Sequence, residues 1–138
     1  MTLPPELIAA YETAHYVVFG DPEVVLRVGE KNARLDYLVE WLGRKSAAFV
    51  TAVNPRGSVR PERDNRRAME ALYGSQFQAG TTIMPGEARD PAGAWPAEPS
   101  LLIVGISRAD AEALGRRFGQ NAIVFVEKGR AAELVVLA

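Results

Sequence analysis

Ala47-Ala48-Phe49-Val50-Thr51-Ala52-Val53-Asn54-Pro55-Arg56-Gly57-Ser58 holds the clearest passage from strand to turn in the chain. Ala47–Val53 is an apolar run of strand length, interrupted only by Thr51, as expected of a buried strand. Asn54-Pro55-Arg56-Gly57-Ser58 follows with the Asn-Pro and Gly punctuation of a turn. Upstream, Leu35, Leu38, Val39 and Leu42 recur at i, i+3, i+4 and i+7, which predicts an amphipathic helix ending near Gly43. Trp41 falls off the centre of that stripe and is expected to cover a rim or a neighbouring element. Downstream, a helix starts around Pro61, with Glu62 and Asp64 against the positive end of its dipole. It is expected to carry Met69, Leu72 and Tyr73 inward. A buried strand between two such helices places the chain in the α/β class.

The flanks extend this reading. Pro4, Pro5 and Glu6 open a first helix, with Leu7, Ile8 and Tyr11 on one stripe, because prolines in a first turn lose no helical hydrogen bond. Tyr16–Phe19 and Val24–Val28 read as a hairpin around Gly20-Asp21-Pro22. Thr81–Met84 is expected as a strand. Residues 85–99, with prolines at 85, 91, 96 and 99, read as an irregular loop. Leu101–Val104 is a second buried strand. Ser107 and Asp110 match a capping box, Ala111, Leu114, Gly115 and Phe118 form an inward stripe, and Gly119 stops the helix. Ala122–Val126 and Leu134–Leu137 complete a hairpin around Lys128-Gly129-Arg130. The order is α-β-β-α-β-α-β-β-α-β-β, an α/β (α+β) fold with helices packed on a mixed sheet. Hairpins at both ends argue against a fully parallel Rossmann sheet. With 138 residues and no internal repeat or long linker, residues 1–138 are expected to form a single globular domain.

Composition narrows the function classes. A formal net charge of -1 lacks the basic surplus that phosphate neutralisation demands, so a nucleic-acid partner is not expected. The absence of cysteine removes disulfides, thiolate metal sites and thiol nucleophiles. His15 is the only histidine and reads as a core or rim residue. Neither it nor the spacing of the carboxylates suggests a metal site, and no cofactor signature is present. No apolar run approaches the ~20 residues that cross a bilayer. Met1–Ile8 lacks a basic head and apolar stretch, so a cytoplasmic location is the expectation. Oligomeric state leaves no mark in the sequence.

Three places carry polar residues that folding alone explains poorly. Thr51 and Asn54 lie at the carboxyl end of the central strand, where open α/β sheets present ligand crevices. Asn65 precedes Met69 by four residues and Leu72 by seven, so it lies on the inward stripe near a helix amino terminus, a region suited to anions or polar ligands. Arg56, in the intervening turn, is the candidate charge partner within a cluster that includes Arg60, Arg63, Arg66 and Arg67. That cluster reads equally as a solvated face. The second place is the 85–99 loop, long enough for a lid. There Asp90, Trp95, Glu98 and Ser100 gather, and Glu98 between prolines is the candidate acid or base, with Asp90 next. The third is Gln120-Asn121 at a strand entrance, where either a ligand edge or the end of the preceding helix is served. Backbone capping by the asparagines and a structural role for Glu98 stand beside each functional reading.

Tyr11-Glu12-Thr13-Ala14-His15-Tyr16, Phe49-Val50-Thr51-Ala52-Val53-Asn54-Pro55, Asn65, Glu98-Pro99-Ser100 and Phe118-Gly119-Gln120-Asn121-Ala122 resemble a small bacterial family, the domain of unknown function 3293. The similarity runs from about Tyr11 to Val126, and Thr-Ala-x-Asn-Pro and Gly-Gln-Asn-Ala are its most specific pieces. It implies a stand-alone bacterial domain and no particular activity.

The leading expectation is binding of a polar or anionic small molecule, nucleotides among the candidates, with enzymatic action left open. Thr51, Asn54 and Asn65 would form the floor, Asp90, Trp95 and Glu98 the lid, and Gln120 and Asn121 the far side. The alternative is a protein-interaction or regulatory module without catalysis, working through Trp95, Trp41 or the arginine cluster.

Overall fold

The computed structural model describes residues 3–138. Its elements are α1 (Pro5–Thr13), β1 (His15–Val18), β2 (Val24–Leu26), α2 (Ala33–Trp41), β3 (Ser46–Val50), α3 (Glu62–Tyr73), β4 (Thr82–Arg89), β5 (Glu98–Val104), α4 (Arg108–Arg117), β6 (Ala122–Glu127) and β7 (Glu133–Val136). The α/β class and the order of elements are those expected. All seven strands join one sheet in the order β2-β1-β4-β5-β3-β6-β7.

The pairing departs from a mixed sheet. Each neighbouring pair is antiparallel, and among the described residues parallel pairing is confined to one isolated bridge between Val28 and Ala132. That bridge ties the chain after β2 to the chain before β7, so the two ends of the sheet meet and the sheet curls. The face lined by Val18, Leu26, Ala47, Leu102, Val126 and Ala132 draws on both ends and receives α2 through Leu35 and Val39. The opposite face, with Ala48, Val50, Leu101, Ile103 and Phe125, is covered by Met69 and Leu72 of α3 and Ala111 and Leu114 of α4. Central strands buried on both faces explain the near-continuous apolar runs of β3 and β5.

Local signals hold at the helix starts. Asn32 caps α2 by accepting from the Leu35 N–H, and Ser107 caps α4 by accepting from the Asp110 N–H. Two side chains differ from expectation. Trp41 is 72% exposed, and Tyr73 lies 42% exposed at the edge of the α3 stripe.

The main correction concerns residues 85–99. The expected irregular stretch shrinks to residues 90–97: residues 82–89 and 98–104 form the longest hairpin of the sheet, and of the connection between them Trp95 and Pro96 line the cavity described below. The hairpin's prolines are compatible with strand because of where they lie. The Pro99 carbonyl accepts from the Thr51 hydroxyl at 2.6 Å, so the side of Pro99 that lacks an N–H faces the point where β3 has ended. Pro85 likewise faces the end of β1, and its carbonyl accepts from the Phe19 N–H at 3.0 Å. No ladder donor is missed at either position, which is the condition for proline in a sheet.

Candidate functional site

A cavity of about 380 Å³ opens where β3 and β5 run out, beneath α1 and beside the entrance to β6. Glu98 at the start of β5 and Asn54 in the turn after β3 form its polar wall. Tyr11 of α1, Tyr16 of β1, Phe49 of β3 and Trp95 supply most of its aromatic surface. Tyr16 and Phe49 meet edge to face, with ring centroids 5.3 Å apart.

The polar wall is built outward from the backbone. The Arg60 N–H donates to Asn54 Oδ1 at 2.9 Å, and the Asn54 N–H donates to Asn65 Oδ1 at 3.0 Å. These two main-chain donors fix which way both amides face. Asn65 Nδ2 must then donate to Asn54 Oδ1, at 2.9 Å, and Asn54 Nδ2 is left to donate to Glu98 Oε2, at 3.3 Å. Asn54 itself sits in the left-handed region (φ 48°), a conformation its residue type tolerates. The turn is clamped from the other side. The Arg56 N–H donates to the Gly119 carbonyl at 2.7 Å, and a Cβ on Gly119 (φ 69°) would lie 3.0 Å from Pro55 Cβ.

A second polar set lies opposite. Asn121, buried at the start of β6, donates through Nδ2 to the Tyr11 hydroxyl oxygen at 3.2 Å, and the Tyr16 hydroxyl donates to the Tyr11 carbonyl at 2.5 Å. Gln120 Nε2 donates to the Val53 carbonyl at 3.2 Å, tying the strand entrance to the β3 turn.

Burial pushes the Glu98 carboxyl above its ordinary value, and the Asn54 donor offsets part of that rise. Burial also raises the Tyr11 hydroxyl, with the Asn121 donor opposing and the Glu98 charge adding. Tyr16 is raised by burial first, then by Tyr11 and Glu98. Among the described residues, Glu98 is the only Asp, Glu, Lys, Arg or His in the lining.

The structure therefore brings Thr51, Asn54, Glu98 and Ser100 to one cavity, together with Trp95, Gln120 and Asn121. Thr51 and Ser100 spend their hydroxyls on strand backbone: Thr51 on Pro99, and Ser100 on the Glu98 carbonyl at 2.9 Å. Asn65 stands one layer back, where it positions Asn54. Two expected residues lie elsewhere. The Arg56 side chain is exposed and does not line the cavity. Asp90 caps the β4–β5 turn, its carboxylate accepting from the Ala92 N–H at 3.0 Å and the Ala94 N–H at 2.7 Å. Tyr11 and Tyr16 were not among the expected site residues. Their signal was a phenol on the apolar stripe of α1 and another inside a strand, each a buried hydroxyl that needs a partner. His15 is half-buried in β1, across from Arg89. Among the described residues, no three His, Asp or Glu side chains gather as a metal site would require, and no helix is long and apolar enough to cross a membrane.

Fold and site define a curled antiparallel α/β protein with a ligand-sized cavity whose described lining carries a single carboxyl. Within that class, the chain belongs to the family described as "Protein of unknown function (DUF3293)", whose model matches residues 50–123. The match takes in Thr51, Asn54, Asn65, Glu98, Gln120 and Asn121, and leaves Tyr11 and Tyr16 outside it. No curated protein and no solved structure matches the chain.

Proposed function

We propose that this protein binds a small organic molecule in the cavity, with Glu98 and Asn54 as its polar anchor and the aromatic wall holding an apolar body. The observation that carries the reading is convergence: α1, β1, the β3 turn, β5 and the β6 entrance each send side chains to one concavity around a single carboxyl. Ligand sites are commonly concavities of this kind, mostly apolar with a few convergent polar groups. The expected anionic ligand finds little support, because among the described residues no Lys or Arg lines the cavity and Glu98 would repel it. Where a proton is to be moved in this cavity, Glu98 is the group placed to move it, since a raised carboxyl titrates nearer to neutrality.

Thermal shift across a panel of nucleosides, amino acids, amines and sugars tests the reading. A ligand at about 100 times its dissociation constant stabilises by roughly 2.7 kcal/mol. Trp95 reports the same event by fluorescence, once Trp41→Phe has removed the exposed indole. A panel without any stabilising member and without a change at Trp95 counts against the cavity as a binding site.

A second reading, a partner-binding module, draws on α2. Tyr37 and Trp41, 71% and 72% exposed, share one helix face four residues apart. Loss of a partner in pull-downs with a Tyr37→Ala, Trp41→Ala double variant, with the cavity intact, would favour it.

A further inference from the structure

We propose, resting on the reading above, that the ligand is a small amine with an apolar or aromatic body, its ammonium seated on Glu98. Among the described residues, the lining of the cavity contains one carboxyl and no Lys, Arg or His. None of the ion pairs among the described residues includes Glu98. Its one side-chain hydrogen bond comes from Asn54, at a long 3.3 Å. The half-buried Glu98 carboxylate has one protein donor and no counter-charge among the described residues, so its remaining lone pairs stay open to the cavity solvent and to a cation that displaces it. A cation entering the cavity completes the pairing.

The rest of the wall suits the same guest. Tyr11, Tyr16, Phe49 and Trp95 present aromatic surface, which attracts ammonium as well as apolar groups. Asn121 Nδ2 donates to the Tyr11 hydroxyl oxygen, so the Tyr11 O–H remains free to donate to an acceptor on the ligand. At about 380 Å³ the cavity stands near the small end of ligand sites, which suits a single ring on a short chain better than a dinucleotide. A ligand carboxylate or phosphate would be placed against a like charge without a cation to relieve it.

The groups facing Glu98 are Asn54 from the β3 turn, Tyr11 from α1 and Tyr16 from β1, and among the described residues no basic group faces it from any lining element. The sign of the pH dependence follows. Amine affinity weakens as pH falls and Glu98 takes up a proton, whereas a neutral ligand accepting from a protonated Glu98 would bind more tightly.

Calorimetric titration of the full chain with phenethylamine, 2-phenylethanol and phenylacetate tests the assignment on one skeleton with three head groups. The expected result is an amine affinity at least about tenfold above that of the alcohol, which corresponds to about 1.4 kcal/mol, and no binding of the acid. Glu98→Gln should lose at least that tenfold for the amine and leave the alcohol unchanged. The pH series on the unmodified protein gives the same answer without a variant. Equal or tighter binding of the alcohol or the acid, or amine affinity that rises on acidification, overturns the amine assignment and leaves the cavity reading standing. No binding by any of the three also overturns it, and the wider panel then decides the cavity reading separately.

Discussion

Replacing Asn65 with alanine removes the support on which Asn54, and through it Glu98, depends. Asn65 accepts from the Asn54 N–H at 3.0 Å and donates to Asn54 Oδ1 at 2.9 Å, and its contact with the Arg60 carbonyl at 3.4 Å is weaker. Two good hydrogen bonds contribute about 2 kcal/mol together. Alanine returns roughly 0.6 kcal/mol as the better helix former. The net loss is therefore about 1.5 kcal/mol, which in a domain of this size lowers Tm by roughly 5 °C. Asn65→Asp sharpens the test. It keeps an acceptor for the Asn54 N–H but turns the Asn54 Oδ1 contact into one between two acceptors. A carboxylate in the first turn of α3 would on its own stabilise the helix by about 0.3–1 kcal/mol, so a loss in this variant isolates the amide–amide bond. Urea or thermal unfolding of both variants, and of Asn54→Ala singly and in combination with Asn65→Ala, gives the coupling directly. An interaction energy of about 1 kcal/mol is expected, because Asn54→Ala keeps the main-chain N–H and the cycle reports only the amide–amide bond. Additive losses, or Tm values within about 1 °C of the parent for both Asn65 variants, would refute the reasoning that these amides hold one another.

Glu98→Gln should stabilise the protein at neutral pH. The folded carboxyl titrates above its ordinary value of 4.5, so its contribution to stability is fully present below the unfolded value and is lost as pH rises through the folded one. The gap between variant and parent therefore closes on acidification toward that range. Tm measured on both proteins from acid to neutral pH checks this, and a gap that widens in acid contradicts it. Asp90→Ala should cost about 1 kcal/mol through the lost turn contacts and leave ligand affinity unchanged. A fall in affinity there would return Asp90 to the site.

Periodicity made the elements legible, because burial on one helix stripe or both strand faces leaves its trace in residue type. The Asn65, Met69, Leu72 spacing even placed an amide on the inner side of α3, where it is found. The β4–β5 hairpin was hidden by its prolines. Whether a proline interrupts a ladder depends on which neighbour has already ended, and that is a property of the folded sheet. The arginine at 56 misled for a related reason. Its position in the turn was correct, but the left-handed backbone there (φ 57°) hands the clamp to the main-chain N–H and leaves the guanidinium outside. Tyr11 and Tyr16 went unseen because an aromatic on an apolar stripe reads as core, and only the arrangement of neighbours shows that their hydroxyls meet at a cavity.

β3 has a consequence for how quickly the molecule assembles. It is the middle partner of β5 and β6 and touches neither strand that flanks it in sequence, so Ala47 must find Val104 and Val126 far along the chain. The loops closed by these pairings are long, and their entropy must be overcome before the contacts return anything. Refolding is accordingly expected on the millisecond-to-second scale typical of nonlocal sheets. The cavity, which borders β3 and both of its partners, can take shape only when that search has ended.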